Sequence, residues 1–391
     1  MREEWTYKKL GEVATFINGD RGKNYPSQKD FVDKGVPFIN AGHIVDGKIN
    51  FDSMNYITED KYNSLNSGKI IDGDILFCLR GSLGKKAIVN GVVQGTIASS
   101  LVIIRCNDLY NQYLFHYLDS SFISSCIYKS NNGSSQPNLS ATSVSKYVIP
   151  VPSLSEQQSI VAELDKINEL INLKKAQLSD LDSLAQSIFY DMFGDPIENE
   201  KGWEVKKLGE VCSIERGGSP RPISDYITDS PNGINWIKIG DAEEGAIYIT
   251  STKERIKPEG MKKSRFVHKG DFILSNSMSY GKPYILGIDG CIHDGWLVIH
   301  DNNDVFDKLF LYHMLSHPSM FAQFQNMAVG GVVNNLNSKL VSNVKVFVPS
   351  KDYQNNFSKK VDIILAERKY ILSTIKDLET LLASRMQYWF D

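Results

Sequence analysis

The segment Trp5 to Val13, WTYKKLGEV, recurs as Trp203 to Val211, WEVKKLGEV, 198 positions further along the chain. Other matches keep almost the same register. Val36-Pro-Phe-Ile-Asn answers Ile234-Asn-Trp-Ile-Lys, Gly73-Asp-Ile-Leu answers Gly270-Asp-Phe-Ile, and Ser82-Leu-Gly-Lys answers Ser279-Tyr-Gly-Lys. Towards the end of each copy, His116 matches His313, Asn138-Leu139 matches Asn335-Leu336, and Val151-Pro-Ser matches Val348-Pro-Ser, all at a spacing of 197. The period is about half of the 391 residues, too long for a solenoid repeat and long enough for each copy to be a domain with an appendage. The chain reads as a tandem duplication, whose two copies a pseudo-two-fold axis can relate.

Each copy changes grammar part-way. Its first 150 or so residues carry short apolar runs, such as Val36 to Asn40, Ile75 to Leu79 and Leu101 to Arg105, punctuated by Asp46-Gly47, Asp72-Gly73 and Asn90-Gly91. That pattern predicts short strands joined by tight turns. Helices are expected at Asp108 to Ser120 and Asp304 to Ser316. Beyond Pro152, Ser155 with Gln158, and Asp352 with Asn355 in the second copy, have the spacing of helix caps.

Apolar residues then fall at Ile160, Leu164, Ile167, Ile171, Leu178, Leu181, Ala185, Ile188 and Met192, with a lapse at Lys174. The second copy has Phe357, Val361, Ile364, Ile371, Ile375, Leu378 and Leu382, interrupted by Arg368. These are heptad seams. Some 37 helical residues make a rod of roughly 55 Å, which cannot hide a seam alone. The two seams are expected to close on each other as an antiparallel pair; the rival arrangement packs each helix on its own domain.

The expected fold class is α+β: two similar, mostly β globular domains separated by an antiparallel coiled coil of two long helices. The expected boundaries are 1–152 and 202–350 for the domains, with 153–201 and 351–391 as the helical segments.

The net charge of −3, from 43 basic and 46 acidic residues, excludes a strongly basic chain that coats nucleic acid indiscriminately. Residues 1–150 carry 16 basic and 14 acidic groups and residues 202–350 carry 16 of each, so any DNA contact must come from local patches. The richest is Lys253 to Lys269, with seven basic and two acidic residues, for which a solvated face is the plain alternative. Residues 153–201 hold four basic and ten acidic groups, which suits a protein partner better than DNA. No apolar stretch is long enough for a membrane span, and Met1-Arg-Glu-Glu-Trp lacks the apolar core of a signal peptide, so a cytoplasmic protein is expected. The five cysteines, Cys78, Cys106, Cys126, Cys212 and Cys291, fit neither a disulfide framework nor a CxxC knuckle and read as reduced, mostly buried side chains.

Catalytic signatures are missing from the sequence. Gly81-Ser-Leu-Gly-Lys-Lys has the wrong spacing for a phosphate loop, no GxGxxG or GxSxG motif occurs, and there is no Asn-Pro-Pro-aromatic tetrad of an amino-methyltransferase. His313 and His317 lie four apart on an expected helix, but without HExxH or a third ligand they read as packing residues. Asp72, Asp74 and Asp271 sit in Gly-Asp turns, where a carboxylate commonly accepts backbone N–H bonds. No cofactor or metal is expected.

Polar loops remain as the candidate reading surface. Gly19-Asp-Arg-Gly-Lys-Asn-Tyr-Pro, with Arg21 and Lys23, answers Arg216-Gly-Gly-Ser-Pro-Arg-Pro, with Arg216 and Arg221. Arg80, Ser82 and Lys85 in one loop answer Ser279 and Lys282 in the other. Asn131, Ser134 and Gln136 lie in an amide-rich stretch whose counterpart carries Asn334. Arginine forks and lysine charges suit guanine edges and phosphates, while amides suit adenine edges. Ordinary turns are the competing explanation for each loop.

Tandem copies that open with Trp-x-x-x-x-Leu-Gly-Glu-Val, together with Val148-Ile-Pro-Val-Pro-Ser-Leu-Ser-Glu-Gln-Gln-Ser-Ile before a heptad helix, resemble the specificity subunit of type I restriction-modification systems. The likeness spans essentially the whole chain. It implies a non-catalytic subunit whose two target-recognition domains read the halves of a split double-stranded DNA sequence. Half-sites about one helical turn, roughly 34 Å, apart would present major grooves on one face. It also implies that the paired helices act as a ruler and docking surface for two DNA methyltransferase subunits, and that a restriction-translocase subunit joins the larger complex. The second copy departs from the pattern at Val348-Pro-Ser-Lys-Asp-Tyr-Gln-Asn-Asn-Phe, where Tyr-Gln-Asn replaces Glu-Gln-Gln, which puts equal partner contact at the two ends in question. The rivals are a bivalent protein-interaction scaffold without DNA binding and a self-contained nuclease or methyltransferase.

Overall fold

A computed structural model describes residues 4–92, 94–130, 138–243, 245–277, 281–301, 303–329 and 335–391. The chain divides into two compact units: residues 1–175 together with 373–391, and residues 176–372. The two dividing points fall inside long helices, Leu154–Phe193 and Lys351–Phe390, so each helix contributes to both units.

The repeated Leu-Gly-Glu-Val is explained by packing. In the first unit, Leu10 and Val13 are buried, Glu12 accepts a hydrogen bond from the Lys9 N–H at 3.2 Å, and Gly11 lies so close that a Cβ would meet Ser145 Cβ at 3.2 Å. In the second, Leu208 and Val211 are buried, Glu210 accepts from Lys207 N–H at 3.0 Å, and a Cβ on Gly209 would sit 2.7 Å from Ser342. Every residue of the motif has a local structural task, and none points to a ligand. The flanking strand of each copy, Thr6–Lys9 or Val205–Lys207, pairs antiparallel with the strand that closes the globular part, Val148–Val151 or Lys345–Phe347.

The first unit holds an antiparallel sheet in the order Ala14–Asn18, Leu101–Cys106, Ile75–Cys78, Lys86–Ile88. A second sheet has the order Thr96–Ile97, Val36–Ile39, Asn55–Ile57, Phe31–Val32, with its first two strands parallel. Ile75–Cys78 is buried throughout, which accounts for its unbroken apolar run. The second unit repeats the plan with Ser213–Arg216, Trp296–His300, Phe272–Ser275, Pro283–Leu286 and Tyr248–Ile249 in one sheet. Its other sheet is Glu254–Ile256, Ile234–Ile237, Gly290–Ile292, Arg265–Val267.

The helices expected at 108–120 and 304–316 are Asn111–Tyr117 and Lys308–Ser316, both starting later than the sequence suggests, and each is followed by a further helix, Ser121–Ser130 or Pro318–Val329. In the second unit the reason is visible. Asp301 binds the N–H groups of Val305 and Phe306, holding a turn, and Asp307 then caps the helix through Leu309 and Phe310. His313 lies in this helix, whereas His317 is the residue that ends it.

The first long helix is capped by Ser153, not Ser155. The Ser153 hydroxyl accepts from Glu156 N–H at 3.3 Å, and Glu156 accepts from Ser153 N–H at 3.0 Å. Asp352 likewise lies within the first turn of the second long helix. The residue that matters at both starts is a buried glutamine. Gln157 donates to Pro152 O and accepts from Tyr110 N–H; Gln354 donates to Pro349 O and Val305 O and accepts from Asp307 N–H. Each satisfies backbone groups that would otherwise be buried without partners. The change of Glu-Gln-Gln to Tyr-Gln-Asn therefore keeps the one side chain that anchors the helix.

Within each unit the long helices run antiparallel past each other. In the first, Glu163 pairs with Arg385, and Lys175 with Glu379 at 3.4 Å. In the second, Asp182 pairs with Arg368 at 3.3 Å, and the Phe189 and Phe357 rings lie 5.6 Å apart. Arg368 thus interrupts its seam while lying in an ion pair with an acid on the other helix. Of the expected seam residues, Ile160, Leu164, Ile167, Ile171, Ala185, Met192, Phe357, Val361, Ile364, Ile371 and Ile375 are buried. Leu178, Leu181, Leu378 and Leu382 are half-buried.

Near its end, the first long helix departs from the expected seam. Phe189 is 1% exposed and Ile188 only half-buried, because this turn packs on Phe193, Phe310 and Phe347 in the second unit's core. In the first unit, Phe390 plays the corresponding part against Tyr113 and Tyr117, and Trp389 stacks on Trp5 at 6.2 Å. Among the described residues, no helix is long and apolar enough to cross a membrane.

Candidate nucleic-acid interface

In the first unit, three loops meet at one end of the sheets. Gly19 is required for this: a Cβ there would lie 2.6 Å from Ala98 O. Asp20 is buried and accepts from Asn66 N–H at 2.7 Å, so the loop's acid is used internally while Arg21 and Lys23 stay exposed. Arg21 donates to Ser99 O at 3.3 Å. The neighbouring Ser100 O accepts from Leu79 N–H at 2.9 Å, which brings in the next loop. There Arg80 is exposed and donates from Nε to Asn138 Oδ1 at 3.3 Å, while Leu139 N–H donates to Leu79 O at 2.8 Å.

Ser82 is exposed on the same loop. Lys85 is half-buried, its ammonium donating to Ala41 O at 3.0 Å. The adjacent Lys86 is buried over the Phe115 ring and paired with Asp119; burial pushes its pKa down against the pull of that carboxylate. Two consecutive lysines thus have unlike environments, a distinction that no motif reports.

The second unit builds the same platform with other side chains. A Cβ on Gly217 would lie 2.3 Å from His293 O. His293 N–H donates to Ile237 O at 3.0 Å, as Ala98 N–H does to Ile39 O at 2.7 Å. Asn276 N–H donates to Gly295 O at 2.9 Å and Leu336 N–H to Asn276 O at 3.0 Å, matching the bonds of Leu79 and Leu139. Arg216 is exposed and donates from Nε to Asp294 O at 3.0 Å. Arg221 is exposed, its guanidinium 3.4 Å from Asp294 Oδ2. Lys282 is half-buried, with its backbone N–H donating to Ser275 Oγ at 3.0 Å. Asn131, Ser134, Gln136, Ser279 and Asn334 lie outside the described residues.

An open cleft of about 740 Å³ adjoins this second platform, lined by Ser219, Arg221, Trp236, Lys238, Glu254 and His293. Asp294, beside it, is the residue the sequence reading missed. Its Oδ1 accepts from Ser219 Oγ at 2.7 Å and lies 3.0 Å from His293 Nε2. Burial would raise its pKa, but the Ser219 bond and the charges of His293, Arg216 and Arg221 outweigh that and hold the carboxyl below its ordinary value. Burial lowers the pKa of His293, Asp294 pulls it up, and Lys238, Arg221 and Arg216 push it further down. No motif marks Asp294. Its equivalence to Ser99 emerges only from strand register, because the offset there differs from that of the sequence matches.

Much of the basic run Lys253 to Lys269 serves the fold. Arg255 bonds Pro231 O, Lys257 bonds Asp225 O, and Lys263 donates to the Tyr226 hydroxyl, which together brace the loop following Arg221. Arg265 bonds Arg216 O and pairs with Glu215. The Gly-Asp turns are also structural: Asp72 accepts from Gly91 N–H, Asp74 from Ile71 N–H and from Arg105, and Asp271 from His268 N–H. His313 is packed between Phe189 and Phe357, and burial drives its pKa down to about 4. Among the described residues, no group of three His, Cys, Asp or Glu side chains is placed to hold a metal.

The family model described as type I restriction modification DNA specificity domain matches twice, at residues 2–182 and 200–377. The chain belongs to this family. A specificity-subunit relative, that of the type I restriction enzyme StySPI of Salmonella potsdam, is 21% identical over 419 residues, covering 98% of this chain and 87% of the relative. A Methanocaldococcus jannaschii protein assigned as the MjaX type I restriction enzyme specificity subunit is 25% identical over 392 residues, covering 94% and 89%. Among solved structures, the type I restriction-modification S subunit from M. genitalium superposes with a TM-score of 0.56 at 15% identity, covering 99% of this chain and 96% of that one. A chain from a structure of the type I R-M system, titled for its complex assembly and conformational transition, gives a TM-score of 0.63 at 22% identity, covering 99% and 97%. The specificity-domain fold is thus shared along the full length.

Proposed function

We propose that this specificity-domain chain is the DNA-reading subunit of a type I restriction-modification complex, with residues 1–152 reading one half of a split duplex target and 202–350 the other. The observation that carries this is the duplicated loop platform. Matching backbone bonds at Leu79 and Asn276, Ala98 and His293, and Leu139 and Leu336 support different polar side chains in the two copies. One scaffold with two sets of side chains suits two unlike half-sites. Exposed Arg21, Lys23, Arg80 and Ser82 would serve the first, with Lys85 at its margin; Arg216, Arg221 and Lys282 would serve the second. The loops holding Asn131, Ser134, Gln136, Ser279 and Asn334 belong to the same proposal.

The chain supplies recognition, and the chemistry belongs to its partners. Segments 153–201 and 351–391 carry exposed apolar side chains, among them Leu173, Leu184, Ile363, Tyr370, Leu381 and Tyr388, that suit docking of two methyltransferase subunits. A restriction-translocase subunit would complete the complex, in the cytoplasm where the DNA lies.

Salt-dependent duplex binding by the assembled modification complex tests the DNA-reading role, since counterion release makes affinity fall steeply with ionic strength. Arg80→Ala should cost about 1–3 kcal/mol at one half-site if Arg80 contacts a base, and leave the other half-site unchanged. Equal weakening on every sequence would make it a phosphate contact, and no effect would remove it from the interface.

A further inference from the structure

We infer that Asp294 reads a base in the second half-site and that it selects an exocyclic amino group, that of cytosine or adenine, in the major groove. The inference rests on the DNA-reading role proposed above and names one recognition atom within it.

The two platforms place Ser99 and Asp294 at the same point. Each follows a residue whose N–H bonds the neighbouring parallel strand, Ala98 to Ile39 O and His293 to Ile237 O. Each precedes a residue whose carbonyl accepts from the next loop, Ser100 O from Leu79 and Gly295 O from Asn276. Facing them are Arg21, which donates to Ser99 O, and Ser219, which donates to Asp294 Oδ1. In both units a guanidinium, of Arg21 or Arg216, donates to the carbonyl at this point; what differs is the side chain, a serine in the first unit and in the second a carboxylate held by the Ser219 hydroxyl.

The carboxylate is held in one orientation. Gly295 N–H donates to His293 Nδ1 at 2.9 Å, which leaves the ring proton on Nε2, and Nε2 lies 3.0 Å from Asp294 Oδ1. Ser219 donates to Oδ1 at 2.7 Å, so that oxygen is occupied. Oδ2 faces Arg221 at 3.4 Å, and that side chain is 81% exposed. An exposed ion pair of this length contributes little, so Arg221 can turn to a phosphate and leave Oδ2 to accept from a base.

A carboxylate on a DNA-facing loop repels phosphates and can add nothing to general affinity. It is offset only where an amino group donates to it, which is how a negative charge confers selectivity.

The test uses the full chain assembled with its methyltransferase subunits, selecting from a duplex pool randomised across both half-sites. Wild type should prefer cytosine or adenine at one position of the second half-site by about 5- to 150-fold. Asp294→Asn keeps an oxygen for Ser219 but turns the open acceptor into a donor. It should switch that position alone to guanine or thymine on the same strand. The reciprocal Ser99→Asp should create an amino-base preference at one position of the first half-site, and it decides the matter if Asp294→Asn does not fold. An unchanged logo in the folded variants, or a loss spread over many positions, overturns the assignment. Failure of wild type to select any sequence would instead defeat the DNA-reading role itself.

Discussion

Phe189→Ala removes the ring around which the second unit's core is built. Phe189 is 1% exposed, with the rings of Phe193, Phe310, Phe357 and Phe347 at 5.1, 5.9, 5.6 and 6.4 Å. Truncating a buried phenylalanine costs about 3–5 kcal/mol, and the upper part of that range applies where stiff aromatic neighbours cannot collapse into the space. With a urea dependence of about 2–3 kcal/mol per molar, the midpoint of this unit should fall by about 1.3–2.5 M. Tyr190 is the internal control: next in sequence but 50% exposed, it should cost within about 0.5 kcal/mol when changed to alanine. Urea unfolding, with hydrogen exchange of peptides from 176–372 to localise the loss, reads both variants. A loss below about 1.5 kcal/mol for Phe189→Ala, or equal losses for the two, would refute the packing argument.

Two further perturbations separate the helix pair from the globular core. Replacing half-buried Leu178 and Leu181 together by aspartate should break the pairing of the long helices and abolish assembly with methyltransferase subunits; an unaltered complex on a sizing column would contradict this. His313, held at about 4 by burial against 6.5 for the free imidazole, leaves the unfolded chain to bind the proton first as pH falls. The stability linked to it is intact above pH 6.5 and is lost between there and about 4, by about 3 kcal/mol in all. His313→Leu should remove that part of the pH dependence, and parallel stability curves for the variant and wild type would refute it.

The duplication, the short strands and the two long helices were legible because repetition and apolar periodicity are properties of sequence itself. Where the seam fails at Ile188, the helix has exchanged a helical neighbour for the aromatic core of the second unit, and periodicity carries no record of which surface a turn faces. The cap lies at Ser153 because Glu156 completes its reciprocal bonds, although Ser155 has the same local spacing pattern. At the candidate interface, exposed Arg21 and Arg80 could be picked out by residue type, but Lys85 and Lys86 could not be told apart, since burial against Phe115 and Asp119 is set by tertiary contacts. Asp294 was invisible for a related reason: its partners Ser219 and Arg221 reach it only when distant loops meet.

The most direct test of the central claim is selection of bound duplexes from a fully randomised pool by the assembled complex. Two unlike half-sites separated by a gap of fixed length and free sequence are expected, with Arg80→Ala blurring one half alone. A single contiguous motif, or recovery of no preferred sequence, would contradict the assignment of one reader to each unit.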